Sequence, residues 1–172
     1  MDIPKFKKEL TVVILCGGKG LRLRPLTKEL PKPLIKINDK SILENIIKHF
    51  LNYKIKNFII ATGYKSVLID NFIKNKFKKH NIKTLYTGIN SDIIIRLKKS
   101  SEYSKKYFLV CYGDTMLDIN LDKYISFYLN NMRKISVASY QLKSSFGILD
   151  ITCNLGPCRG TSDIYIYIYI YI

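Results

Sequence analysis

The sequence predicts an α/β fold, a three-layer, mostly parallel, Rossmann-like sheet, and three observations carry that reading. Short apolar runs rich in β-branched residues alternate with stretches of helical period from Thr11 onward. The first run empties into a glycine-rich turn, Cys16-Gly17-Gly18-Lys19-Gly20, as a buried strand does when it turns toward a crossover. The 172 residues suffice for one domain with a real core. Such alternation implies right-handed βαβ crossovers with helices on both faces, and ligands then gather beyond the carboxyl ends of the strands.

Thr11-Val12-Val13-Ile14-Leu15 reads as the first strand, continuous in its apolar character because both faces are covered. Residues 41–53 read as a helix. Ser41 stands as N-cap with Glu44 three positions on, a capping box, and Ile42, Leu43, Ile46, Ile47, Phe50 and Leu51 recur at helical spacing. Asn57-Phe58-Ile59-Ile60-Ala61 is the next strand, ending at Thr62-Gly63-Tyr64. Leu68, Ile69, Phe72 and Ile73 set a helix over 66–77. Then follow a strand over 82–87, a helix over 92–101, a strand over 107–112, a helix over 121–131 and a strand over 135–142.

The end of the chain leaves this pattern. The expected organisation is an N-terminal arm over 1–10, the α/β portion over 11–151 and a low-complexity tail over 152–172. The Ile/Tyr alternation of 164–172 reads as a strand with two apolar faces, exposed at a chain end and prone to aggregate. It is also what an alternating A/T repeat in DNA encodes. A frame slip near Ile151 is therefore expected, which would truncate the fold in mid-sheet.

The net charge of +16 favours phosphate-rich partners. Lys, Ile, Asn and Tyr are also the residues of A/T-rich codons, so the lysine excess reads as compositional bias. A nucleic-acid binder would gather Arg and exposed aromatics on one face, whereas these lysines are spread over every element, and nucleic acid is not the expected partner. Cys16, Cys111, Cys153 and Cys158 lack zinc spacing, and His49 and His80 are isolated. Four free thiols in a reducing cytoplasm are expected. Residues 1–10 carry no apolar core of a signal peptide, and no run of ~18 apolar residues occurs, so neither secretion nor a membrane span is expected.

The chemistry concentrates after the first strand. Glycines there let backbone N–H groups come close to a ligand. Arg22 follows on the loop, and Lys32 lies between Pro31 and Pro33, so the stretch describes a cradle for polyphosphate. It is not a Walker loop, since no Gly-Lys-Ser/Thr ends it, and no G-x-G-x-x-G opens a helix. Asp114, in Tyr112-Gly113-Asp114, stands at the end of another buried strand, where a carboxylate can hold Mg²⁺. A solvated loop Asp or an N-cap is the alternative. Asp118 and Asp122 are weaker candidates, Asp122 because it suits a helix start.

Leu15-Cys16-Gly17-Gly18-Lys19-Gly20-Leu21-Arg22 and Pro31-Lys32-Pro33-Leu34 resemble the sugar-1-phosphate nucleotidyltransferase family, whose pattern is L-x-G-G-x-G-T-R-L-x-P-L-T-x-x-x-P-K-P-L. Gly63-Tyr64-Lys65, Thr87-Gly88, Arg96-Leu97-Lys98 and Phe146-Gly147-Ile148-Leu149-Asp150 are similar to its glucose-1-phosphate cytidylyltransferase branch. The resemblance implies transfer of a nucleotidyl group from a nucleoside triphosphate to a sugar 1-phosphate, giving NDP-sugar and pyrophosphate. CTP is the favoured donor and UTP or dTTP the alternatives. It implies Arg22 and Lys32 as catalytic cations and Asp114 as the Mg²⁺ ligand. It also implies nucleotide contacts from Leu15, Cys16, Gly17, Gly18, Gly20, Leu21, Arg22, Lys32, Arg96 and Gly113.

Two departures stand out. Leu21 replaces the family Thr, and Ile93-Ile94-Ile95 replaces T-G-G, which would crowd the nucleotide and remove a hydroxyl contact. The family's later sugar-binding residues and second metal-binding Asp follow the F-G-x-L-D stretch, where this sequence enters its tail. Residues 1–172 alone are therefore expected not to turn over. A non-catalytic regulatory subunit of the same fold is the alternative, and a homo-oligomer is compatible with either.

Overall fold

The computed structural model describes residues 2–116, 118–131, 135–138, 142–143, 163–164 and 168–171. In chain order the elements are α1 (Ile3–Lys8), β1 (Leu10–Cys16), a small hairpin of β2 (Lys36–Ile37) and β3 (Lys40–Ser41), α2 (Ile42–Asn52), β4 (Asn57–Thr62), α3 (Ser66–Lys76) and β5 (Asn81–Tyr86). They continue with α4 (Ile93–Ser101), β6 (Tyr107–Tyr112), α5 (Leu121–Asn131), β7 (Ile135–Ala138), β8 (Leu142–Lys143), β9 (Asp163–Ile164) and β10 (Ile168–Tyr171). The main sheet runs β5-β4-β1-β6-β10-β7. Its first four strands are parallel, with Val13 opposite Ile59 on one side and Val110 on the other.

Period two along β1 builds the two halves of the core. Val12 and Ile14 join the larger cluster with Leu43 and Ile47 of α2, Ile69 of α3 and Leu121 and Ile125 of α5. Val13 points the other way and packs with Ile59 and Val110, Leu97 of α4 lying against them. Helices therefore cover both faces of β1, and this is why its sequence is apolar without alternation. The predicted α/β, three-layer, Rossmann-like sheet is the one observed. Because strand order reverses between β1 and β6, the crevice beyond their carboxyl ends is the topological switch point of the sheet.

Three parts differ from the sequence reading. The amino-terminal segment contains a helix, capped by Asp2, whose side chain accepts a bond from the Lys5 N–H at 3.0 Å. Its Phe6 is fully buried, with its ring 4.5 Å from that of Tyr107 and 5.6 Å from that of Tyr128. Six residues with one buried apolar position carry no period to read. The Ile/Tyr tail was expected to end exposed, yet β10 lies inside the sheet, antiparallel to both β6 and β7. Its backbone is paired along both edges, which removes the exposed edge that the alternation implied. The strand expected over 135–142 ends at Ala138, and Leu142 opens β8, paired with β9. The F-G-x-L-D stretch, Cys153 and Cys158 lie outside the described residues. Among the described residues no helix is long and apolar enough to cross a membrane.

The capping box of α2 forms in half. The Ser41 hydroxyl accepts the Glu44 N–H at 3.1 Å, but the buried Glu44 carboxylate receives Lys48 at 2.7 Å and Lys76 of α3 at 3.3 Å. Burial pushes the Glu44 carboxyl up, and the two ammonium groups outweigh it, so its pKa is held below the ordinary value. A lowered folded pKa contributes stability that is present above the unfolded value of about 4.3 and lost as pH falls through the folded one. Glu44→Gln is expected to cost about 1–2 kcal/mol at pH 7, and urea melts at pH 3 should show the gap closing. A gap unchanged at pH 3 would show that the charge is not what matters. Phe6→Ala is expected to cost about 3–5 kcal/mol in the same melts. A loss under ~1 kcal/mol would mean that α1 is peripheral to the core after all.

Candidate active site

At the carboxyl pole of the parallel strands a cavity of about 690 Å³ opens. One wall is the glycine loop after β1, another the loop between β5 and α4, and the floor lies between β1 and β6. Leu15, Cys16, Gly17, Gly18, Gly20, Leu21, Arg22, Lys32, Arg96 and Asp114 all line it. Gly113 stands just beneath, where a Cβ would meet the Cys16 sulfur and come within 3.0 Å of the Leu15 carbonyl oxygen. Each nucleotide- or metal-contact residue that the resemblance implies is thus at this cavity or directly under it, whereas Asp118, a weaker candidate, lines a separate cavity beside Ile46 and His49.

Arg96 organises the pole. It is buried, 6% exposed, on the inner face of α4. Its Nη1 donates to Thr62 O at 3.1 Å and to Thr87 Oγ1 at 2.5 Å. Its Nη2 donates to Gly88 O at 2.9 Å and to Gly17 O at 3.4 Å. One guanidinium therefore joins the ends of β1, β4 and β5. Any Cβ at Gly17 would fall on the guanidinium, which is why glycine is needed there. Burial lowers the Arg96 pKa, with Cys16, Asp92 and Tyr86 working in the opposite direction. Arg96 was expected to contact nucleotide; its donors Nη1 and Nη2 instead face protein oxygens, so it shapes the loop that would do so.

The glycine loop is held open. Thr27 Oγ1 donates to Gly20 O at 2.9 Å, and Tyr64 OH donates to Thr27 O at 3.0 Å. That explains Thr27 and the Tyr of Gly63-Tyr64-Lys65 as supports of the loop. Among the described residues the N–H groups of Gly18, Lys19 and Gly20 have no backbone acceptor, and Arg22 is exposed with no ion pair. On the floor, Lys32 Nζ and Asp114 Oδ2 are 2.6 Å apart, each side chain about one-third exposed. A cation and a carboxylate from opposite sides of the switch point thus meet in one place. Asp122, in contrast, is engaged by Lys7 at 2.5 Å.

Cys16 contributes a wall and not a nucleophile. It is 1% exposed, and burial first, then Cys111 and Asp114, raise its pKa well above the ordinary thiol value. Burial likewise pushes Cys111 up to about 12. Both thiols are free and protonated at neutral pH. Among the described residues no group of three or more His, Cys, Asp or Glu is arranged to enclose a metal. A single carboxylate beside a loop whose N–H groups have no backbone acceptor would suit Mg²⁺, which takes one or two carboxylates and completes its shell with phosphate and water oxygens.

The feared crowding by Ile93-Ile94-Ile95 reduces to one residue. Ile93 lines the cavity, Ile94 is 76% exposed on the outside of α4, and the Ile95 N–H is taken by the Asp92 cap at 2.7 Å. The sequence reading missed the loop that precedes them. Ile89, Asn90, Ser91 and Asp92 line the cavity, and Lys19 Nζ reaches across to Asn90 Oδ1 at 3.1 Å. A usable signal existed, because in a parallel sheet the loop after β5 must share a pole with the loop after β1.

Residues 11–154 match the family described as nucleotidyl transferase. The chain belongs to that family. It is 32% identical over 166 residues to the glucose-1-phosphate cytidylyltransferase of Salmonella typhimurium, a match that covers 83% of this chain and 65% of the relative. It is 36% identical over 118 residues to the D-glycero-α-D-manno-heptose 1-phosphate guanylyltransferase of Campylobacter jejuni, covering 66% of this chain and 52% of that one. The chain thus spans less than two thirds of the length of these relatives. The crystal structure of HddC from Yersinia pseudotuberculosis superposes with a TM-score of 0.75 at 24% identity, covering 94% of this chain and 76% of that one. As a nucleotidyl transferase fold, then, the chain carries the family's glycine loop, its Lys32 and its Asp114 in one cavity.

The Arg96 arrangement is open to a double-mutant cycle. Arg96→Ala leaves the Gly88 carbonyl without a donor and takes one from Gly17 O and Thr62 O, which keep the N–H groups of Tyr64 and Thr87, and is expected to cost about 3 kcal/mol. Gly17→Ala should cost a similar amount in the wild type but far less beside Arg96→Ala, because the colliding group is gone. Strict additivity of the two in chemical melts would show that they do not meet.

Proposed function

We propose that the reaction this chain serves is transfer of a nucleotidyl group from a nucleoside triphosphate to a sugar 1-phosphate, releasing pyrophosphate, with residues 1–172 supplying the donor half of the site and not expected to turn over by themselves. CTP stands first among donors, with UTP or dTTP next. The observation that carries the reading is the Lys32–Asp114 pair at 2.6 Å on the floor of a cavity walled by a glycine loop with unpaired N–H groups. In such a transfer a phosphate oxygen of the acceptor attacks the α-phosphorus, and the bond from that phosphorus to the pyrophosphate oxygen breaks. The nucleophile comes with the substrate, which agrees with a protonated, buried Cys16.

The protein's part is placement and charge. The N–H groups of Gly18, Lys19 and Gly20 receive phosphate oxygens. Arg22, exposed and unpaired among the described residues, neutralises the leaving pyrophosphate with a planar fork. Lys32 bridges the α-phosphate and the attacking phosphate. Asp114 together with donor phosphates would hold Mg²⁺, which when bound offsets charge on the phosphoryl oxygens. While no substrate is present, the Lys32 ammonium neutralises Asp114. Retention of Arg22, Lys32 and Asp114 in one cavity favours an enzyme over a regulatory subunit that has lost the chemistry.

Calorimetry with CTP and Mg²⁺ tests the donor half. Arg22→Ala and Lys32→Ala should each weaken binding by about tenfold or more, and Asp114→Asn should remove its dependence on Mg²⁺. Each variant should keep the wild-type melting temperature. A wild-type chain that binds neither CTP, UTP nor dTTP would end the reading. Pyrophosphate release on adding a sugar 1-phosphate separates a transferase from a relative that only binds nucleotide.

A further inference from the structure

The cavity has two chemically different ends. Lys32, Asp114 and the glycine loop form the end at β1 and β6. The opposite wall follows β5, two strand spacings from β1 or roughly 10 Å away. There Ile89 and Ile93 line the cavity, 44% and 46% exposed, so each offers a large apolar surface to whatever enters.

The polar side chains around them are already engaged. Thr87 Oγ1 donates to Thr62 O at 2.7 Å and accepts from Arg96 at 2.5 Å. Ser91 Oγ donates to Thr87 O at 2.5 Å. Asp92 Oδ1 accepts the Ile95 N–H at 2.7 Å, and Asn90 Oδ1 accepts from Lys19 at 3.1 Å. What remains on the side chains of this wall is the Asn90 amide nitrogen, one Asp92 oxygen and the Ser91 hydroxyl as an acceptor, beside the larger apolar surface of Ile89 and Ile93. Ile93 stands where the family pattern has a Thr, so an ethyl group takes the place of a hydroxyl.

We infer that this wall meets a nucleobase through the base's flat apolar surface and not through its hydrogen-bonding edge, with Ile93 as the residue responsible. The chain therefore separates pyrimidine and purine nucleoside triphosphates by no more than about tenfold, CTP remaining first among them by a small margin. The inference rests on the nucleotide reading of the cavity. Every base has an apolar face, so contact with it is tolerant of base identity. Bases are told apart by donors and acceptors on their edges. Apolar pockets separate close analogues by roughly 10- to 200-fold, whereas sites built of hydrogen bonds reach 10⁴ to 10⁵.

Calorimetry on the purified chain with Mg²⁺ decides the matter, using CTP, UTP, GTP, ATP and tripolyphosphate against wild type, Ile93→Ala and Ile93→Thr. Both substitutions suit the first turn of α4, and circular dichroism checks that the variants fold. The four nucleotides should bind within about tenfold of one another, and all more tightly than tripolyphosphate. Ile93→Ala should weaken all four by a common factor of about three to ten and leave tripolyphosphate unchanged. Ile93→Thr should widen the spread between bases. A preference above ~100-fold for one base overturns the inference, as does an Ile93→Ala effect confined to one nucleotide. Nucleotides that bind no better than tripolyphosphate overturn it while leaving the phosphate cradle intact. Failure of tripolyphosphate itself to bind brings down the nucleotide reading and this inference together.

Discussion

The carboxyl pole of this protein hangs on one buried guanidinium. Three parallel strands end side by side, and carbonyl oxygens at or just past their ends gather around one side chain. Arg96 answers three of them at once, Gly17 O, Thr62 O and Gly88 O, with the Thr87 hydroxyl as a fourth acceptor. A buried cation without such partners would be costly, and so would the Gly88 carbonyl, which no other group answers among the described residues. Each side of the contact thus makes the other tolerable. The glycine loop, the loop after β4 and the loop after β5 are fixed relative to one another by the same contact. The glycine loop and the loop after β5, both held by Arg96, are two walls of the cavity.

Above that fixed base, the site is a problem in charge. The chain carries +16 overall, which draws anions toward it, but the cations that matter are few and differently held. Arg96 is immobilised beneath the loop, Lys32 is neutralised by Asp114, and Arg22 is exposed with no ion pair among the described residues. Their environments separate a structural cation from two that line the open cavity. The buried thiols of Cys16 and Cys111, both raised by desolvation, supply bulk and no charge.

Much of this was legible from residue patterns. The strands at β1, β4, β5 and β6 were readable within one or two residues because apolar β-branched runs between polar loops have few other uses. The helices α2, α3, α4 and α5 were legible as segments, α2 with its Ser41 cap, which accepts the N–H three residues on, whereas the Asp92 cap of α4 came only from the structure. Gly17, Arg22, Lys32 and Asp114 were legible from motif and position. The helix α1 was not, because one buried Phe6 in a six-residue helix leaves no period. Nor was the place of β10, because a strand that alternates Ile and Tyr satisfies either face and names no neighbour.

By itself the sequence determined which segments are strands and helices, that the first strand ends in a glycine loop, and which side chains carry charge. These are local properties, set by period, capping and residue type. Only the tertiary structure decided that Arg96 faces carbonyl oxygens, that Lys32 finds Asp114 across 82 positions of chain, and that the loop after β5 forms the far wall of the cavity. Those facts depend on strand order, with β6 set beside β1 and opposite β4. Strand order is a long-range choice among topologies, and no single segment encodes it.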